Sequence, residues 1–243
     1  MPVKPRVGRG PYPIAAGAAR RATCLFVDIG GVLLTNGWEH QSRQRAAAHF
    51  RLNLADLEER HRTVFTTYEE GRMTLTDYLS LVIFYRKRAF TRDQFRRFMF
   101  AESEAYPDML ELVTRLKDRY RLKVVAVSNE ARELNEHRIR TFRLDHVVDA
   151  FVSSCFVHLR KPDVDIFRLA LDIAHTNADR VVYIENTGLF VEIAAGLGIR
   201  GVLHRNTRTT RKALERLGLP DQSADAAPSD ARAHDRRWEG RGR

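Results

Sequence analysis

With 243 residues, 44% of them hydrophobic, the chain is long enough to bury a full core, and one domain or one domain with an inserted lobe is the natural count. No apolar run approaches membrane-spanning length, which argues for a soluble, cytoplasmic protein with no membrane partner. The formal charge of +10 suggests nucleic acid only until it is divided along the chain. Residues 1–22 carry +5 with no acid, residues 23–220 another +5, and residues 221–243 balance, so nucleic-acid binding is not expected.

The first 22 residues, rich in Pro, Gly and Ala, read as a disordered basic extension. Pro2, Pro5, Pro11 and Pro13 disfavour the amphipathic helix that a transit peptide needs. Residues 23–33 then form an apolar run that stops on Asp28 and turns on Gly30 and Gly31. Such a run reads as a strand buried on both faces, in the middle of a parallel sheet. A carboxylate at its C-terminal end faces the crevice where open α/β sheets bind ligands.

Residues 39–104 show helical spacing and no strand pattern. Leu54, Leu57, His61, Val64, Phe65 and Tyr68 share one face, and Gly71 ends that helix. Thr74, with Asp77 three residues on, and Thr91, ahead of Phe95, Phe98 and Met99, read as caps of two more helices. Residues 37–106 are therefore expected to form a helical lobe. From Pro107 the chain alternates. Helices are expected around 109–116, 130–142, 163–174, 191–197 and Lys212, and strands at 122–128, 150–153, 181–184 and 201–204. This alternation predicts an α/β core over 23–36 and 107–218, a doubly wound, mostly parallel, Rossmann-like sheet with the all-helical lobe inserted after its first strand. Residues 219–243 read as a charged, disordered tail. Cys24 and Cys155 have neither metal-ligand nor redox spacing and read as reduced core residues.

Three further segments fall at strand ends or before a helix: Ser128-Asn129-Glu130, Arg160-Lys161-Pro162-Asp163 and Glu185-Asn186-Thr187. In a doubly wound sheet they converge with Asp28 on one edge. A nucleophilic carboxylate, a hydroxyl, an ammonium and a second carboxylate form a coherent set for phosphoryl transfer. Asp28 can attack phosphorus, Ser128 can hydrogen-bond a phosphoryl oxygen, and Lys161 can neutralise developing charge. Asp28 and Glu185 together can hold Mg²⁺, which prefers hard oxygen ligands.

The order and spacing of these segments resemble the haloacid dehalogenase-like hydrolase superfamily, largely Mg²⁺-dependent phosphatases. Residues 26–33 and 160–167 carry the likeness most strongly, and it extends over about 23–218. The resemblance implies that Asp28 is the nucleophile, that Ser128, Asn129 and Lys161 bind a small phosphorylated substrate, and that Asp28, the Gly30 carbonyl and Glu185 hold the metal. It also implies that the helical lobe is a cap that selects substrate.

Three places depart from the pattern. Gly30 stands where the family's phosphatases carry an aspartate that protonates the leaving oxygen, and Glu185-Asn186 replaces paired aspartates. Phe190 stands where an Asn is common. A missing general acid, worth about 10²–10⁴-fold, predicts a slow enzyme, a substitute such as His40, or a leaving group that needs no proton. Three functions follow: an Mg²⁺-dependent phosphatase first, a non-catalytic phospholigand- or partner-binding module next, and a 2-haloacid dehalogenase last. Trp38, Glu39 and His40 are placed at the pocket mouth, and Arg86-Lys87-Arg88 reads as a solvated charged face.

Overall fold

The computed structural model describes residues 20–221. The expectations for a disordered extension and a charged tail fall, over residues 1–19 and 222–243, outside that range. The chain opens with β1 (Cys24–Val27), followed by α1 (His40–Phe50), α2 (Leu54–Glu69), α3 (Leu75–Val82) and α4 (Arg92–Ala101). Then come α5 (Pro107–Tyr120), β2 (Lys123–Ser128), α6 (Arg132–Thr141), β3 (Ala150–Ser153), the short α7 (Ser154–Val157) and α8 (Asp165–Ala174). It closes with β4 (Val181–Glu185), α9 (Gly188–Gly196), β5 (Arg200–Leu203) and α10 (Thr207–Arg216).

The five strands form one sheet in the order β3-β2-β1-β4-β5, and every pairing is parallel. β1 is the central strand. Alternate residues of a strand face opposite sides of the sheet, and here both sides are covered. Leu25, Val27, Val124, Ala126, Val182 and Ile184 pack with Met109, Leu112, Val113 and Leu116 of α5 and Leu214 of α10. Phe26, Val125, Val127, Val181 and Tyr183 pack with Ile166, Phe167 and Ala170 of α8 and Ala194 of α9. This is the doubly wound α/β fold read from the alternation of strands and helices.

The four helices between β1 and α5 bury a cluster of their own, with Trp38, Leu57, Tyr68, Tyr78, Leu79, Phe95 and Met99 at its centre. Their starts are set locally. Asn53, Thr74 and Thr91 each accept a hydrogen bond from the backbone N–H three residues on, and at Thr91 the Gln94 side chain returns the bond. Inside the lobe the indole of Trp38 donates to the Tyr78 hydroxyl at 2.7 Å, and His61 Nδ1 lies 2.8 Å from the same oxygen. An indole only donates, which leaves the phenolic proton free for His61 Nδ1; with that assignment the ring is neutral and protonated at Nε2.

Lobe and sheet domain meet at the end of α2. Gly71 adopts φ +67°, and a Cβ there would lie 2.2 Å from the Cys155 carbonyl oxygen, so only glycine allows the two backbones to come this close. Ser154 donates to the Glu69 carbonyl at 2.7 Å, and Arg160 pairs with the Glu69 carboxylate at 2.6 Å.

The starts of α6 and α8 fall two residues later than the sequence predicts, for local reasons. α6 begins at Arg132 rather than 130, because Glu130 N–H is held in the preceding loop by Ser154 Oγ at 2.9 Å. α8 begins at Asp165 rather than 163, where Asp163 Oδ1 accepts from Asp165 N. Both cysteines are buried and free. Among the described residues no helix is long and apolar enough to cross a membrane.

Candidate active site

The C-terminal ends of β1, β2 and β4 and the loop before α8 supply the floor of the site. Asp28 directly follows β1, and its N–H donates to the Ile184 carbonyl at 3.0 Å, so the sheet ladder itself positions the carboxylate. Lys161 is 1% exposed and reaches the strand ends from below. Its Nζ lies 3.0 Å from Asp28 Oδ1 and 2.6 Å from Glu185 Oε2, and it donates to the Tyr183 hydroxyl at 3.2 Å. The Asp28 contact is an ion pair without hydrogen-bond alignment, which leaves Oδ1 buried and unbonded. Burial pulls the Lys161 ammonium down, but the Asp28 and Glu185 carboxylates outweigh it and hold its pKa above the ordinary lysine value.

Glu185 is wholly buried. Its Oε2 accepts from Lys161 and from the Tyr183 hydroxyl, and its Oε1 accepts from Thr187 N–H at 2.9 Å. Burial and the neighbouring charge of Asp28 push its carboxyl up against the pull of Lys161. Asn129 is likewise engaged. Its amide accepts from Lys161 N–H at 2.8 Å and donates to the Lys161 carbonyl at 2.9 Å, which pins the lysine's loop to the end of β2. Ser128 Oγ lies 3.4 Å from Ile29 N–H, which donates to it, and itself donates to Glu130 Oε1 at 3.3 Å.

A cavity of about 460 Å³ opens above this floor. Asp28, Gly30, Ser128, Asn129 and Lys161 line it from the sheet side, and Trp38, His40, His61, Phe65 and Glu69 from the lobe side. The four strand-end segments therefore do meet around one space. Glu185 lies beneath that space and does not line it. His40 stands at the mouth, 3.1 Å from Glu58. Arg86, Lys87 and Arg88 do not line the cavity; Arg86 and Arg88 flank the Tyr85 ring instead.

The donor set suits a hard divalent cation. Asp28 has a buried oxygen with no hydrogen bond, and Gly30, Asn36 and Asn186 share its wall. Among the described residues no three His, Cys, Asp or Glu side chains form a metal cluster. Mg²⁺ bound through one or two carboxylates, with waters and substrate phosphate completing its shell, needs no such cluster. Of the three residues expected to ligate, Asp28 and Gly30 face the cavity, and Glu185 does so only by releasing Lys161 or Tyr183.

Three participants escaped the sequence reading. Tyr183 is an alternating residue of a buried strand, indistinguishable by pattern from a packing aromatic. Arg138 is 1% exposed and lies mid-helix. Its Nη1 contacts both oxygens of Glu130, at 2.6 and 2.8 Å, and its Nη2 donates to the Thr35 carbonyl. Glu130 was in view, one residue beyond Asn129, and only its burial of all but 4% marks it.

Comparison with known proteins bears on the family and the fold. Residues 22–198 match the model of the family described as haloacid dehalogenase-like hydrolase. A predicted HAD-like family hydrolase from Porphyromonas gingivalis has a similar fold, with TM-score 0.66 and 19% identity over 84% of this chain and all of that one. The HAD family enzyme bt-2542 from Bacteroides thetaiotaomicron, in complex with magnesium and inorganic phosphate, gives 0.62 and 19% over 76% of this chain and 94% of that one. In sequence, 69 residues are 32% identical to bifunctional epoxide hydrolase 2 of Sus scrofa, a match covering 28% of this chain and 12% of that protein.

Proposed function

The chain belongs to the haloacid dehalogenase-like hydrolases, and from that premise we propose that it is a phosphomonoester hydrolase working through an aspartyl-phosphate on Asp28, with Mg²⁺ as cofactor and a small phosphorylated substrate. The observation that carries this reading is the placement of the Asp28 carboxylate 3.0 Å from the Lys161 ammonium at the floor of the cavity. Asp28 attacks phosphorus. Lys161 holds the Asp28 carboxylate in place and offsets charge on the phosphoryl oxygens as they shift, where low dielectric makes such contacts strong. Ser128 Oγ is free to turn from Glu130 to a phosphoryl oxygen, while Asn129 keeps Lys161 in register. The lobe acts as the cap that closes the cavity and excludes water. Mg²⁺, held through Asp28, the Gly30 carbonyl and Asn186 or Glu185, would neutralise the phosphoryl group. Two buried, unpaired cysteines fit a cytoplasmic setting.

The test is turnover of p-nitrophenyl phosphate with and without Mg²⁺ by the wild type and by Asp28→Asn. Metal-dependent release lost in the variant, by about 10⁴-fold or more, is the expected result; release unchanged by the substitution overturns the reading. One observation favours a second reading. Glu185 is engaged by Lys161 and turned from the cavity, as a metal-free site displacing halide from a 2-haloacid would tolerate. Halide release in EDTA would decide for it.

A further inference from the structure

We propose that the cavity takes the phosphate monoester of an uncharged phenol and that Phe65 and Phe190 are the side chains that select its ring. This substrate class rests on the phosphohydrolase reading above. The walls beyond Asp28 are largely aromatic. Phe65 of α2 and Trp38 line the cavity from the lobe, and Phe190 of α9 lines it from the sheet domain. The centroid of the Phe190 ring lies 4.9 Å from Lys161 Nζ, so the group esterified to a phosphate seated at Asp28 and Lys161 is within reach of that ring. The Phe65 ring packs against that of His61, with centroids 4.2 Å apart. Burial lowers the His61 pKa to about 3, which leaves this part of the wall uncharged. An aromatic ring packs offset or edge-on against walls of this kind.

The charged groups around the cavity point the same way. Arg43 is bound to both oxygens of Glu58, at 2.7 and 2.9 Å, and Arg138 Nη1 contacts both oxygens of Glu130. Among the described residues that line the cavity, these arginines are therefore already matched, and a second anionic group on the substrate finds no free guanidinium. Glu39, which accepts from Asn36 at 3.1 Å, also lines the cavity and meets such a group with like charge. The leaving oxygen is equally unassisted. Gly30 carries no acid, Glu69 is held by Arg160, Glu130 by Arg138, and His40 sits beside Glu58. A phenol, with a pKa of about 10 like that of a tyrosine side chain, leaves as its anion far more readily than an aliphatic alcohol does. The Asp28 oxygen bonds phosphorus as the bond from phosphorus to the phenol oxygen breaks, and the departing phenoxide keeps that electron pair and takes a proton from solvent. Water then bonds phosphorus, the Asp28 linkage breaks, and hydrogen phosphate and the Asp28 carboxylate are released.

The experiment measures kcat and KM of the full chain in Mg²⁺ on four probes. These are p-nitrophenyl phosphate, 4-carboxyphenyl phosphate (a carboxylate in place of the similarly shaped nitro group), acetyl phosphate (an activated phosphate without a ring) and n-propyl phosphate. KM is expected to be at least about tenfold lower for p-nitrophenyl phosphate than for the carboxylate or the ringless acetyl probe. The kcat for n-propyl phosphate is expected to fall about 10²-fold or more below that for p-nitrophenyl phosphate. Phe65→Leu and Phe190→Leu keep apolar volume and lose the ring. Each should raise KM for p-nitrophenyl phosphate about three- to tenfold, more than for acetyl phosphate and with a smaller change in kcat. Equal KM values for the ringed, charged and ringless probes, Leu variants that shift the p-nitrophenyl and acetyl probes alike, or n-propyl phosphate turned over as fast as p-nitrophenyl phosphate would each overturn the phenol assignment and leave the hydrolase reading standing. Wild-type protein that turns over none of the four overturns the hydrolase reading itself.

Discussion

The polar groups beneath the cavity and those above it are buried to a similar depth but held in different ways. Beneath it, three carboxylates (Asp28, Glu130 and Glu185) face two cations, Lys161 and Arg138. Above it, Trp38, Tyr78 and His61 form a neutral relay centred on the Tyr78 hydroxyl, with no charge involved. The upper arrangement can be satisfied by itself. The lower one carries one negative charge too many, which a proton or a cation must balance, and that surplus gives the floor its capacity for chemistry. The lobe gives the cavity its shape.

The largest effect that would break this contrast is expected from Lys161→Met. Removing the shared ammonium leaves Asp28 and Glu185 side by side without compensation, and breaking a buried pair in this way costs about 3–5 kcal/mol. The urea midpoint should fall accordingly, whereas Asp28→Asn should match or exceed the wild type, since it leaves one ammonium to one carboxylate. A Lys161→Met protein as stable as wild type would mean that the floor needs no cation. A smaller effect is expected from Tyr78→Phe in the lobe. The Trp38 indole and His61 Nδ1 lose their partner together, worth about 1–3 kcal/mol for buried groups left unbonded, again read from the urea midpoint.

The smallest effect concerns acid. Burial, together with the positive charge of Arg43, lowers the His61 pKa from 6.5 to about 3. The unfolded chain therefore binds this proton in a range where the folded chain does not. The contribution of His61 is complete above pH 6.5 and declines as the pH falls towards 3, by about 1 kcal/mol at pH 5.5. A melting series from pH 7 to 5.5 should show this slope in the wild type and a flatter one in His61→Gln; parallel slopes would remove the lobe's neutrality as its distinguishing feature.

Much of this was legible in the sequence. The apolar runs ending at Asp28, Ser128 and Glu185 announced buried parallel strands, because a strand covered on both faces has no polar alternation to obscure it. The caps at Thr74 and Thr91 announced their helices for equally local reasons. The convergence of Asp28, Ser128 and Lys161 followed from topology alone. The roles of Glu130, Arg138 and Tyr183 were not legible, since each depends on a partner brought near only by the fold. A glutamate after Ser-Asn and an arginine mid-helix look like surface residues until their burial is known. The engagement of Glu185 by Lys161 and Tyr183 is a matter of side-chain geometry across 24 and 2 residues of sequence, to which spacing is blind.

The position of β1 at the centre of the sheet has a kinetic consequence. Two strands flank it on either side, so no fraying from an edge reaches it, and amide protons such as that of Asp28 exchange with deuterium only when the whole sheet opens. The Asp28 carboxylate thus stands on slow-breathing ground, and whatever mobility the cavity needs has to come from the helices that face it.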